Sequence, residues 1–380
     1  MRKTIARLSA ALPLAGLLLL GACSRQVTIA VPVPLTGDQA EQGKDVLNGA
    51  QLAVDEWNAR GGVLGRKIAL ESADDKGEEE RAAALAKEWG NRKVAAVIGH
   101  YNSSSTLAAM EVYYEKRTLM ITPSSTNADV TERGYPTIFR VCGRDDQQAQ
   151  VAAAYVAKYF PDAKVALLHD KSPYGQELAN QFLRDYQTLT KKESVYYGGF
   201  DRSTAEFAPI VAKLKEAAPT VVYFGGLFPQ GSGLAKALRE GGVNATFMSG
   251  DGCFDAAFLK GAGAAGEGAL CTFFPDIEGL ASAKAEVAAY RAKFGVAPGP
   301  YSLFAYVAAD LALQGIAKAG TADAVPVARA LHSGEFQTPL GTFGFNEKGD
   351  PVHTSYVVWK VQGGKFVPVD MNAPAPAPAQ

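Results

Sequence analysis

Apolar residues along this chain fall in short runs that alternate with stretches of helical period. Residues 27–33 form a β-branched run suited to a pleated strand. A polar loop over 34–44 leads to a helical segment at 45–60, which stops at the pair Gly61-Gly62. Residues 67–72 read as the next strand, and 78–91 as a helix with Ala82, Leu85, Ala86 and Trp89 on one face. Strands follow at 95–99 and 119–122, separated by an amphipathic segment at 106–116, with a further short apolar run at 139–141. Beyond it the alternation continues with a helix at 147–159, a strand at 165–169 and a helix at 175–188. Strands at 194–198, 221–225 and 247–250 enclose helices at 207–216 and 233–240, and 301–319 is a long Ala-rich helix. Repeated βα units predict an α/β protein with largely parallel, doubly wound sheets. So many units exceed one sheet, and 380 residues exceed one average core, so two similar lobes are expected.

In such sheets ligands bind beyond the carboxyl ends of the strands. The residues at those ends therefore carry the candidate chemistry. After 95–99 come Tyr101, Asn102, Ser103, Ser104, Ser105 and Thr106; after 119–122 come Pro123, Ser124, Ser125 and Thr126. Hydroxyls and free N–H groups at the start of a helix suit an anion, because oriented donors and the helix dipole both favour negative charge. Ordinary capping explains either loop alone equally well. The second half offers Asp170 and Tyr174 after one strand, Leu227 and Phe228 after another, and Asp251 after a third. Hydroxyls on one lobe facing a carboxylate on the other complement a zwitterion, although Gly250-Asp251-Gly252 by itself also fits a simple Asx turn.

Charge and composition narrow the function. The formal net charge is −1 with acids and bases interspersed, which leaves no electrostatic footprint for nucleic acid. The N-terminus reads as a targeting segment, residues 1–23: Arg2, Lys3 and Arg7 precede an apolar run, 8–20, that is too short for a typical span. It ends Leu20-Gly21-Ala22-Cys23, which resembles the lipobox of bacterial lipoproteins, so Cys23 is the expected lipidation site. No later apolar run is long enough to cross a membrane, so the lipid is the one expected membrane contact. Residues 370–380 form an Ala-Pro tail, expected to be extended and disordered. Three further cysteines remain, an odd number for an oxidising compartment. Cys253 follows one strand end and Cys271 lies in the next strand, so either a short disulfide or two thiols is open; Cys142 is expected as a buried thiol. The four histidines sit in no HExxH, the serines in no G-x-S-x-G elbow, and the chain has neither CxxC nor Walker A pattern. His100 stands three residues before Ser103, a spacing that a Ser–His pair or a structural hydrogen bond both satisfy.

Taken together, several segments resemble bacterial periplasmic leucine/isoleucine/valine-binding proteins, type I solute-binding proteins of ABC transporters. They are Asn48-Gly49-Ala50 with Trp57-Asn58-Ala59-Arg60-Gly61-Gly62, IGHYNSSST from Ile98, LMITPSST from Leu119, TERGYPTIFR from Thr131 and HDKSPYG from His169. The likeness runs in order along nearly the whole chain after the N-terminal segment. It implies a type I periplasmic binding protein fold: two doubly wound parallel-sheet lobes joined by a three-crossing hinge. The N-terminal lobe would comprise 27–143 plus 274–344, and the C-terminal lobe 144–273 plus 346–369. By the same resemblance Ser103 and Thr126 bind a ligand α-carboxylate, and the Ser124 carbonyl, Asp251 and more peripherally Tyr174 hold its ammonium. Asp251 stands where the family pattern has a glutamate, one methylene longer. Departures fall in the side-chain pocket: Gln42 and Leu227 occupy places where the family has aromatics, and Tyr101, Asn102 and Ser125 make the mouth polar, while Tyr301 keeps an apolar wall. The implied protein is an extracytoplasmic, lipid-anchored monomer in the periplasmic compartment. It would capture a branched-chain or related neutral amino acid between closing lobes and pass it to ABC permease subunits, without catalysis, cofactor, metal or nucleic acid. The alternative is a ligand sensor or receptor component for an amide or other small carboxylate.

Overall fold

A computed structural model of the chain describes residues 26–371. The expectations for Cys23, for the targeting segment 1–23 and for most of the 370–380 tail fall outside the described residues. The first sheet carries five parallel strands: β1 (Val27–Val33), β2 (Ile68–Asp74), β3 (Ala96–Ile98), β4 (Leu119–Thr122) and β5 (Ile138–Arg140), in the spatial order β2-β1-β3-β4-β5. Helices α1 (Ala40–Ala59), α2 (Glu79–Arg92), α3 (Ser103–Glu115) and the short α4 (Asp129–Glu132) connect them. The next units are α5 (Asp145–Tyr159), β6 (Val165–His169), α6 (Pro173–Thr190), β7 (Tyr196–Gly199), α7 (Ala208–Ala217), β8 (Val221–Gly225) and α8 (Phe228–Glu240). After them come β9 (Thr246–Ser249), α9 (Ala256–Ala262) and β10 (Leu270–Phe273). These five strands lie in the order β10-β9-β8-β6-β7, all parallel, which repeats the connectivity of the first sheet. In both sheets the strand order reverses beside the first strand, and there the following loops splay apart and leave a crevice.

After β10 the chain returns to the first sheet. Helices α10 (Lys284–Phe294), α11 (Ser302–Ala319) and α12 (Ala324–His332) and the hairpin β11 (Phe336–Thr338)–β12 (Gly341–Phe343) follow. The nearly all-apolar α11 is packed into the core shared with β1, β3 and β4 and lies along α1. A last passage leads to β13 (Val357–Gln362), which adds antiparallel to β10, and β14 (Lys365–Pro368), which adds antiparallel to β13. Gly363 and Gly364, at φ 60° and 73°, close that hairpin, since two consecutive positive φ values match the twist of paired strands. The chain therefore passes between the sheets three times, after β5, β10 and β12. A buried ion pair ties two of these passages: Arg140 Nε donates to Asp350 Oδ1 at 2.7 Å, and Arg144 Nη1 reaches Asp350 Oδ2 at 3.3 Å. Arg140 also donates to the carbonyls of Ser125 and Asn127, both at 2.9 Å, so its charge is satisfied without water.

One sequence expectation is corrected here, and one open alternative is decided. Helix α8 starts at Phe228, not at 233, because Pro229 occupies its first turn, where a missing N–H costs nothing. Cys253 and Cys271 are both free, buried thiols. Cys271 Sγ is 3.2 Å from Ser249 Oγ, and Cys253 Sγ faces the Gly226 carbonyl at 3.8 Å, so each sulfur is engaged elsewhere. Burial pushes both thiols up, Cys271 to about 12, which keeps them protonated and unreactive. Cys142 is likewise buried and free, at the first passage between the sheets.

Candidate functional site

The carboxyl ends of β3 and β4 are stitched together by one carbonyl. His100 O accepts from Thr122 Oγ1 at 2.9 Å and from Ser125 Oγ at 3.1 Å, and Ser124 Oγ donates to Tyr101 O at 2.9 Å. The ring of His100 points the other way, at 2.6 Å from Asp75 Oδ2 and 3.2 Å from Tyr113 Oη, fully buried. It thus pairs with Asp75 and does not reach Ser103. Fixing the two loops places the first turn of α3 against the opposite lobe. Asn102 is the N-cap in extended geometry, and the amides of Ser103, Ser104 and Ser105 have no intrahelical acceptor. Ser103 Oγ accepts from Asn127 N at 3.3 Å, and Thr126 Oγ1 is buried without a hydrogen-bond partner of regular geometry.

Across the gap stands Asp251, at the end of β9. Its Oδ1 accepts from Gln148 Nε2 at 2.6 Å and from Tyr174 Oη at 2.8 Å, and its Oδ2 accepts from the Tyr301 hydroxyl. Tyr301 precedes α11, so this last bond links the two halves of the molecule. Gln148 also donates to Asp145 Oδ1 at 2.7 Å and takes Thr272 Oγ1 and the Asp251 amide on its own oxygen. Burial raises the pKa of Asp251, and the three donors pull it back in part. Asp145 is held well above the carboxylate range by burial and then by the charges of Asp251 and Glu177. Two buried acids share one amide, so the region attracts a cation or a proton.

A cavity of about 30 Å³ lies between these surfaces, lined by Tyr101, Asn102, Ser103, Ser104, Ser124, Thr126, Ser172, Tyr174, Arg202, Leu227, Asp251, Gly252 and Tyr301. Water needs roughly 10–15 Å³ by this measure, so the cleft as it stands is closed to anything larger than a few waters. Tyr101 and Tyr301 meet edge-to-face with centroids 5.9 Å apart and form its aromatic wall. Nine of the eleven ligand candidates read from the sequence line this cavity. Two do not. Ser125 is fully buried, its hydroxyl held by Thr106 Oγ1 at 2.6 Å and by the His100 carbonyl, so it braces the loop from behind. Gln42 sits in the first turn of α1, because that helix starts at Ala40, inside the stretch read as a loop. Its Nε2 donates to Asp255 Oδ2 at 3.0 Å, which joins α1 to the N-cap of α9.

The residues missed by sequence reasoning are Gln148, Asp145, Ser172 and Arg202. Gln148 lies one turn into α5 and carries no motif; its signal was the Asp145-Asp146 pair that opens the helix directly after a chain passage. Arg202 lies in the loop after β7, where Phe200, Ser203 and Thr204 flank it without forming any motif that marks a site. Among the described residues no cluster of acids, histidines and cysteines has a metal-binding arrangement, and no helix is long and apolar enough to cross a membrane.

Comparison with known proteins is consistent along the chain. The sequence model of a family described as periplasmic binding protein matches residues 26–365. A Leu/Ile/Val-binding protein homolog 1 from Brucella suis is 38% identical over 345 residues, covering 90% of this chain and 92% of that protein. An amino acid binding protein from Pseudomonas aeruginosa is 40% identical over 337 residues, 88% of this chain and 90% of its own. Among solved structures, a leucine binding protein, LivK, from Thermotoga maritima superposes with a TM-score of 0.83 at 27% identity, over 90% of this chain and 98% of that one.

Proposed function

The chain belongs to the periplasmic binding protein family, and from that premise we propose that it captures an amino acid between two closing lobes and delivers it to an ABC importer. The observation that carries this reading is the polarity of the cleft. Free amides and hydroxyls at the start of α3 face a buried carboxylate, Asp251, across a gap shared by both lobes. The α-carboxylate would take the Ser103 and Ser104 amides with the Ser103 and Thr126 hydroxyls, and the ammonium would take Asp251 and the Ser124 carbonyl. Each such charge-assisted bond is worth about 1.5–3 kcal/mol. The ligand would compete with the Tyr301 hydroxyl for Asp251, so binding and closure act on the same atoms. The relatives from Brucella suis and Thermotoga maritima, described as binding leucine, isoleucine or valine and leucine, support a branched-chain or related neutral ligand.

The lobes would be 27–143 plus 274–344 and 144–273 plus 346–369, moving about the three passages as a hinge. Cys23 would carry a lipid that tethers an otherwise extracytoplasmic monomer to the membrane, in reach of the permease subunits. Tyr101, Asn102, Leu227 and Tyr301 would shape the side-chain end of the site, with Tyr174 beside the ammonium. A thermal-shift screen of the amino acids tests the reading. A ligand at a hundred times its Kd adds about 2.7 kcal/mol, a shift of a few degrees in Tm. Stabilisation by none of them, with stabilisation by simple aromatic or aliphatic acids, would overturn it in favour of a carboxylate sensor.

A further inference from the structure

Beyond the head-group residues, one cation in the cleft has no assigned partner for most of its donors. Arg202 follows β7, and its carbonyl accepts from Gln230 Nε2 at 2.7 Å, which pins the loop to the first turn of α8. Its Nε lies 3.6 Å from Asp170 Oδ2, a carboxylate with no exposed side-chain surface. Asp170 is itself held by Ser172, whose amide and hydroxyl donate to Oδ1 at 3.0 and 2.5 Å. The guanidinium is therefore paired with Asp170 along one edge, while Nη1 and Nη2 make no hydrogen bond to any described residue. Its side chain is about one-third exposed, at 32%.

That free edge lies where two cavities meet. Arg202 lines the head-group cavity and also a second one of about 250 Å³, bounded by Thr36, Asp38, Gln39 and Lys76 on one lobe and by Pro229 and Gln230 on the other. Arg202 is the residue the two cavities share, so a ligand held by its α-carbon substituents at Asp251 and α3 would reach this second chamber by extending its side chain past Arg202. An aliphatic side chain laid there would cover the terminal guanidinium donors without pairing them, and covered donors lose their water at a cost. A carboxylate or amide oxygen would accept from both terminal nitrogens, in the forked geometry that a planar guanidinium favours.

We propose that Arg202 makes this a site for amino acids whose side chain ends in a hydrogen-bond acceptor, a carboxylate or an amide, with the second chamber taking that end. This rests on the amino-acid reading above. A fully buried site of this kind discriminates by factors of about 10⁴–10⁵, but Arg202 keeps contact with solvent, so a preference of roughly 10–100-fold is expected.

The test is competition calorimetry on the mature protein with glutamate, glutamine and leucine, for wild type, Arg202→Leu and Arg202→Lys. The lysine variant keeps a charge over Asp170 and guards against loss of folding, which circular dichroism checks for each. The expected result is tighter binding of glutamate or glutamine than of leucine by at least about tenfold, with that ratio falling at least tenfold in Arg202→Leu and partly restored in Arg202→Lys. Glutamate ahead of glutamine marks the acceptor as a carboxylate, and the reverse order marks an amide. Leucine ahead in wild type, with no change of ratio in either variant, overturns the role of Arg202 and leaves the amino-acid reading standing. Binding of no amino acid at all overturns both.

Discussion

Replacing Asp251 by Asn removes one charge with almost no change of shape, and the structure fixes how much that should matter. The carboxylate accepts from Gln148, Tyr174 and Tyr301, and every one of these partners is a donor. A ligand ammonium joins as a further donor, displacing the Tyr301 hydroxyl from Oδ2. Truncating one member of a buried, hydrogen-bonded charge pair costs about 2–5 kcal/mol, and recovery of a neutral hydrogen bond of about 1 kcal/mol by Tyr301 offsets part of it. The expected loss is about 2 kcal/mol or more, roughly 30-fold in Kd. The cleaner quantity is the coupling between the carboxylate and the amine. Calorimetry on wild type and Asp251→Asn, each with leucine and with its amine-free analogue 4-methylpentanoate, closes a double-mutant cycle. The expected coupling is at least about 1.5 kcal/mol, with the analogue binding Asp251→Asn as well as it binds wild type. A coupling below about 0.5 kcal/mol would refute the ammonium assignment, whatever the absolute affinities.

Protonation supplies a second test. Burial raises the pKa of Asp251 and of Asp145 beside it, so between the ordinary carboxylate value of 3.8 and the raised ones the folded protein holds protons that the unfolded chain has released. Their contribution to ligand-free stability is full below 3.8 and is lost as pH rises through the raised values, whereas ammonium binding strengthens over that same rise; the Tm and Kd profiles of Asp251→Asn, subtracted from wild type, should show both trends. Asp350→Ala should cost about 3 kcal/mol in urea unfolding, since it strands the buried Arg140 while four other acceptors remain, and a loss under 1 kcal/mol would show that the pair is not a fastening of the passages. Cys23→Ser should release the protein from the membrane fraction, and a variant that stays bound would mean another anchor.

Much of this fold was legible because β-branched runs and helix stops are local signals. The strands at 27–33, 119–122, 165–169 and 221–225 coincide with β1, β4, β6 and β8 to the residue. Boundaries slipped where a helix starts without an obvious cap. Helix α1 begins five residues earlier than its apolar period suggests, and that moved Gln42 from a pocket loop to a helix turn facing Asp255. The cleft was legible through hydroxyls and aromatics at strand ends, where the doubly wound topology converges. Ser125 belongs to such a loop, but its side chain turns inward to Thr106, an alternation that sequence does not encode. Gln148 and Arg202 were invisible for a different reason. Each acquires meaning only from a residue distant in the chain: Asp251, 103 positions after Gln148, and Asp170 beneath Arg202.

The proposed ligand lies with its carboxylate toward α3, its ammonium toward Asp251 and its side chain toward Arg202. The most direct measurement is a crystal structure of the mature protein grown with the amino acid that stabilises it most. The expected density is one ligand in the cleft, its carboxylate oxygens within about 3.2 Å of the Ser103 and Ser104 amides and its nitrogen within the same distance of Asp251, with the Tyr301 hydroxyl displaced. A ligand seated elsewhere, or reversed with its carboxylate against Asp251, would contradict it.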